Sequence, residues 1–269
     1  MSLRITANHA HVFPRHIRED GTPEVLLSLM DACGIEQSVA FATFHGFLGP
    51  GDEEPNAWLS KAMGESGRLL GFGVVDFEGK DLRGQVDRIA DLGFRGIKMH
   101  PAFQHFVIDG EKAFEVYRRA EELNLFVSFH TGVHWHRIAD YNMLRFDEVA
   151  YNFKHLRFSM EHLGGYCFFN EGVAVMLNNQ YDKENPRLYA GLTSVFDTNE
   201  NRAWNLSDQR IKELLWQTGE NASIFGMDFP YNGKDKVSYA IQHVKDLDIA
   251  QSAKEKILGG NLRRVLGIL

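Results

Sequence analysis

His9-Ala10-His11 places two imidazoles one residue apart. On a β-strand successive side chains alternate between faces, so both rings share a face and can reach one metal ion. Neutral imidazole is the commonest nitrogen ligand for zinc-like ions. A His-x-His satisfied by ordinary hydrogen bonds would look the same, so the pair needs company. Company follows at Lys98, His100, His130, His162 and Asp228. Imidazoles and a carboxylate with an open coordination position make a site that activates water. Taken singly, each has another use: His130 as a core histidine, His162 as a loop donor, Asp228 as a helix cap, Lys98 as a buried ion-pair partner.

Strand ends are what would bring these residues together. Apolar runs at 3–11, 37–43, 69–76, 94–100, 125–131, 156–162, 188–193 and 223–228 read as eight strands, with 188–193 the weakest. Amphipathic or capped stretches lie between them. Thr22-Pro23 opens a helix that Gly34 closes, and Ser207 caps another that ends at Gly219. Helices are also expected over 55–63, 82–92, 112–123 and 146–155, and two more at the C-terminus. The segment 166–186, beginning at Tyr166, is long and Asn-rich and reads either as a lid or as a helix packed on the body. Strand spacing near the ~30 residues of a strand–helix unit predicts one α/β domain over 1–269, a (β/α)8 TIM barrel. An open doubly wound sheet would normally carry a Gly-rich phosphate turn after its first strand. Here His11-Val12-Phe13-Pro14 stands in that place. The candidate residues then fall at the C-terminal strand ends, where barrel enzymes hold their chemistry.

Composition restricts the partners. The chain has 269 residues, 44% hydrophobic and 24% charged, with formal net charge −7, which disfavours nucleic acid and anionic membranes as partners. No apolar run approaches the roughly 18 residues of a membrane span, and no secretory pattern opens the chain. Two cysteines cannot build a disulfide framework or a Cys-rich zinc site, so a cytoplasmic setting is expected. A homodimer is the default assembly.

Six stretches together resemble the amidohydrolase superfamily. They are His9-Ala10-His11, Gly93-Phe94-Arg95-Gly96-Ile97-Lys98-Met99-His100-Pro101, Phe129-His130-Thr131-Gly132, Glu161-His162-Leu163-Gly164-Gly165, Gly226-Met227-Asp228-Phe229-Pro230 and Ile257-Leu258-Gly259-Gly260-Asn261. Their order and types are similar to the amidohydrolase-related (amidohydrolase-2) branch, which includes aminocarboxymuconate-semialdehyde decarboxylase and related lactonases. The resemblance implies that His9, His11, His130 and Asp228 bind one divalent ion, zinc by preference and manganese as the second choice. It also implies that His162 stands beside the ion as a catalytic residue. Ala7 departs from the Asp that many relatives carry there, and Met227 and Phe229 depart from the more usual Ser and Trp. Support of the strand-one histidines is therefore expected to differ. Lys98 is expected to stay uncarbamylated, facing the substrate or Asp228.

The expected chemistry is hydrolysis of a small ester, lactone or amide. Asp228 would move the water proton and His162 would donate a hydrogen bond to the carbonyl oxygen. Non-oxidative decarboxylation of a small aromatic or unsaturated acid uses the same parts and is the alternative; a non-catalytic small-ligand-binding barrel is a third. Substrate contacts are expected from Lys98, His100, Arg15, His45, Trp135 and Tyr231.

Overall fold

The computed structural model describes residues 3–64, 67–165, 167–196 and 203–268. Eight strands, β1 (Ile5–His11), β2 (Ile35–Phe41), β3 (Leu69–Gly73), β4 (Gly96–Met99), β5 (Phe126–His130), β6 (Phe158–Glu161), β7 (Leu188–Thr193) and β8 (Ser223–Phe229), pair in parallel and in chain order. β8 pairs back with β1, so the sheet closes into a barrel. The helices are α1 (Pro23–Cys33), α2 (Pro55–Ala62), α3 (Leu82–Asp91), α4 (Glu111–Glu122), α5 (Arg145–Asn152), α6 (Phe169–Asn179), α7 (Asp208–Thr218), α8 (Lys234–Asp246), α9 (Gln251–Glu255) and α10 (Asn261–Leu266). Among the described residues no helix is long and apolar enough to cross a membrane.

Local chemistry explains the boundaries. Pro23 sits in the first turn of α1, and Gly34 ends it in the left-handed conformation at φ 68°. The Asp81 side chain caps α3 by accepting from the Gly84 amide, and Ser207 caps α7 by accepting from the Arg210 amide. The segment 166–186 takes the helical alternative: α6 buries Val173, Val175 and Met176. Tyr166 lies outside the described residues. β4 and β6 are shorter than their apolar runs, so His100 and His162 stand one residue past the strand ends. The C-terminal region holds three helical pieces rather than two, because the chain breaks at Gly259 between α9 and α10.

The barrel interior is layered. Phe41, Phe72, Phe126, Tyr189 and Ile224 fill its lower half, and Leu262 and Val265 of α10 join them. α10 lies across the N-terminal strand ends, held by Asn261 Nδ2 donating to the Ser223 carbonyl and Arg157 Nη1 donating to the Val265 carbonyl. Above the aromatic plug comes a polar layer, fully buried, of Asn8, His9, Lys98, Ser128, Ser159, Glu161 and Thr193. The apolar plug thus sets the depth at which polar side chains begin, leaving the opposite end open for a site.

Gly191 on β7 makes room for that layer. A Cβ there would stand 2.4 Å from Glu161 Oε2 and 2.7 Å from Glu161 Cα. Gly191→Ala is expected to cost about 1–3 kcal/mol through overpacking, read as a lowered urea midpoint; an unchanged midpoint would contradict this packing.

Candidate metal centre

β1 carries the first two histidines, though simple alternation does not position them. Its register shifts between Ala7 and Ala10, and His9 takes a left-handed φ of 67°. That bulge turns His9 into the barrel, fully buried, with its ring 5.0 Å from His11 and 4.9 Å from His162. His162 (φ 64°) and Asp228 (φ 61°) share the same strained backbone region. Such conformations in non-glycine residues cluster where a structure over-determines them for function.

Glu161 is the hub beneath these rings. Its Oε2 accepts from His9 Nδ1 at 3.2 Å and Thr193 Oγ1 at 2.7 Å. Its Oε1 accepts from Asn8 Nδ2 at 2.7 Å, Ser128 Oγ at 3.4 Å and Ser159 Oγ. A carboxylate behind an imidazole fixes the ring's tautomer and raises the basicity of its other nitrogen. Nδ1 of His9 is therefore protonated, and Nε2 presents a lone pair.

Two further rings, His130 and His162, are oriented in the same way, by groups that can only accept. His130 Nε2 donates to the Gly132 carbonyl at 2.7 Å, which leaves Nδ1 with the lone pair. His162 Nδ1 donates to the Thr193 carbonyl at 2.8 Å, and its Nε2 is buried without a partner among the described residues. Burial, chiefly, pushes the His162 pKa down to about 3, so the ring is neutral and Nε2 accepts. The donor role expected for His162 toward a carbonyl oxygen does not suit this tautomer. Nitrogens of His9, His130 and His162 lie within 4.8 Å of one another, and ligand atoms of His9, His11 and Asp228 form a second such group. His9 belongs to both.

Asp228 and Lys98 complete the charge pattern. Ser194 Oγ donates to Asp228 Oδ2 at 2.8 Å, and Asp228 Oδ1 lies 3.4 Å from His9 Nε2. Lys98 Nζ is fully buried, 3.3 Å from the same His9 nitrogen and 4.8 Å above the Phe41 ring. Burial lowers the Lys98 pKa against the pull of Glu161 and Asp228. Burial raises that of Asp228 against Ser194 and Lys98. Two carboxylates then face one lysine among neutral imidazoles, a set that favours a further cation. The unpartnered His162 Nε2 and the lone pairs of His9 and His130 fit a divalent ion.

A cavity of about 760 Å³ opens above this floor. His11, His100, His130, Trp135, Asp228 and Tyr231 reach its wall, as do Ser194 and Trp204. Lys98 is fully buried and is not among the lining residues, so it does not make the direct substrate contact expected of it. Arg15 and His45 line other hollows, the first beside His16 and Asp52 and the second beside Glu54 and Asp76. Sequence reasoning missed Glu161, Thr193, Ser194 and Trp204 as parts of the site. A signal for Glu161 existed: an acidic residue at the end of a strand, directly before a candidate histidine.

The family model described as "Amidohydrolase" matches residues 9–268. The chain belongs to the amidohydrolase family. Among curated proteins no match was found. Among solved structures, the TIM-barrel protein Bb4693 from Bordetella bronchiseptica superposes with TM-score 0.77 at 19% identity, covering 99% of each chain. A candidate 2-pyrone-4,6-dicarboxylic acid hydrolase from Pseudomonas putida gives 0.72 at 19%, covering 100% of this chain and 99% of that one. A dihydroxybenzoic acid decarboxylase from Polaromonas sp. JS666, bound to manganese and 2-nitroresorcinol, gives 0.72 at 14%, covering 99% and 98%. At these identities the likeness shows a common barrel.

Replacing Glu161 by Gln puts an amide N–H2 among donors and frees the His9 tautomer. Metal retention is expected to weaken about 10–100-fold, measured by chelator competition with the wild type alongside.

Proposed function

We propose that this chain is a metal-dependent hydrolase acting on a small ester, lactone or amide. The observation that carries the reading is the convergence of ring lone pairs from β1, β5 and the end of β6 beside the β8 carboxylate. His9, His11, His130 and Asp228 are the proposed ligand set, with His162 close enough to join or to serve next to it. When bound, a divalent cation supplies Lewis acidity and a water acidified toward neutral pH. The imidazole-rich donor set supports zinc first; the carboxylate, and the manganese held by a neighbour of the same fold, support manganese second.

The chain's own groups would move the protons. Asp228, steadied by the Ser194 hydroxyl on Oδ2, is the carboxylate that would take a proton and return it to the leaving group. His162 Nε2 is an acceptor and would hold a water by accepting a hydrogen bond from it. Glu161 keeps His9 from rotating, and Lys98 offsets the two carboxylates. The aromatic wall excludes bulk water from the bound substrate, which strengthens each polar contact.

Decarboxylation of a small aromatic acid is the second reading. It is supported by the aromatic rings of the cavity and by the decarboxylases among the structural neighbours. Cys33 and Cys167 are both unpaired thiols, which supports a cytoplasmic setting, and a homodimer remains the proposed assembly.

The decisive experiment is metal analysis of the purified protein, then turnover on a panel of lactones, esters, amides and aromatic acids. Chelation is expected to abolish turnover and zinc or manganese to restore it. Asp228→Asn is expected to lower kcat at least about 100-fold. Carbon dioxide release would select the decarboxylase, and undiminished turnover after complete metal removal would refute the metal dependence of both readings.

A further inference from the structure

A second set of imidazoles stands on the cavity wall. Ring nitrogens of His100, His130 and His134 lie within 4.8 Å of one another, and the His100 and His130 rings stack at 3.9 Å with planes 8° apart. By spacing alone this is another cation site. Its hydrogen bonds decide otherwise. The backbone amide of Phe103 donates to His100 Nδ1 at 3.2 Å. An amide N–H can only donate, so Nδ1 holds the lone pair and the proton of the neutral ring sits on Nε2. A protonated nitrogen does not ligate a metal.

The segment that presents His100 is fixed. The His100 amide donates to Gln104 Oε1 at 2.7 Å, and Gln104 Nε2 donates to the Val75 carbonyl at 2.8 Å. Nε2 of His100 has no hydrogen-bond partner among the described residues, and the ring lines the cavity. Phe44 and Phe103 flank it at ring distances of 6.3 Å and 6.0 Å. A lone, oriented N–H on an aromatic wall is a recognition element: the rings bind a flat apolar body and the N–H fixes one polar atom on it.

We propose that His100 Nε2–H is the hydrogen-bond donor that orients the substrate, binding an sp2 oxygen on a planar ring beside His130. The proposal rests on the reading above for the place where substrate binds, and it names the class: a planar cyclic compound with a carbonyl or carboxylate oxygen. Stacking of His100 on His130 links this donor directly to one of the proposed metal ligands, so the oxygen it holds is delivered to the reacting end of the cavity.

The test uses the purified, ¹⁵N-labelled protein with benzoate as the probe. Long-range proton–nitrogen spectra are expected to show His100 as the Nε2–H tautomer, and benzoate is expected to shift that resonance. Tryptophan fluorescence, from Trp135 and Trp204 on the wall, reads affinity. His100→Asn, which lacks a donor at that reach, is expected to weaken benzoate about tenfold. His100→Gln, whose amide reaches about the same point, should stay within about threefold of wild type, and metal content should be unchanged in both. An Nδ1–H tautomer, a benzoate-insensitive Nε2–H, wild-type affinity in His100→Asn, or loss of metal from both variants would each overturn the proposal. The hydrolase reading fails on a separate observable, turnover that survives chelation, which leaves the His100 tautomer and benzoate affinity untouched.

Discussion

Two acceptors held 3.4 Å apart, His9 Nε2 and Asp228 Oδ1, set the problem that the rest of the site answers. Glu161 accepts a hydrogen bond from His9 Nδ1–H on the far side of the ring, so the near nitrogen offers only a lone pair. Facing a carboxylate oxygen at that distance is unfavourable unless positive charge comes between or beside them. The Lys98 ammonium, 3.3 Å from Nε2, supplies part of that charge without leaving the barrel. Glu161 and Asp228 together exceed it by one negative charge when both are ionised, and the unpartnered His162 nitrogen adds a third acceptor. The polar layer is organised to hold a cation beside Lys98.

Holding acceptors so close requires a rigid frame. His9, His162 and Asp228 each sit in the left-handed backbone region, at about 1–3 kcal/mol apiece for non-glycine residues. Barrel closure and the hydrogen bonds beneath offset that cost. Thr193 serves His162 directly and His9 through Glu161: its carbonyl accepts from His162 and its hydroxyl donates to Glu161. Below it the aromatic plug keeps the floor dry, which makes each buried hydrogen bond stronger and each broken one more expensive.

Much of this was legible in the residues. Glycine and proline punctuation located the helices, and apolar runs located all eight strands, because burial on both faces demands such runs in a parallel sheet. Lengths were less legible. β4 and β6 end earlier than their hydrophobic runs, since the ladder stops where the chain turns to present His100 and His162. Arg15 and His45 follow strand ends as the other candidates do, yet they line different hollows. Sequence adjacency to a strand end says nothing of which way a loop folds.

The sequence by itself determined the barrel, the rim on which the chemistry stands, and the inventory of imidazoles and carboxylates. Periodicity and residue type encode those, since each depends only on neighbours along the chain. Which nitrogen of each ring is free, and that Glu161 lies under His9, were decided by the tertiary structure alone. Tautomers are set by partners as remote as Thr193 for His162 and Glu161 for His9, and only closure of the sheet brings such residues within hydrogen-bond reach.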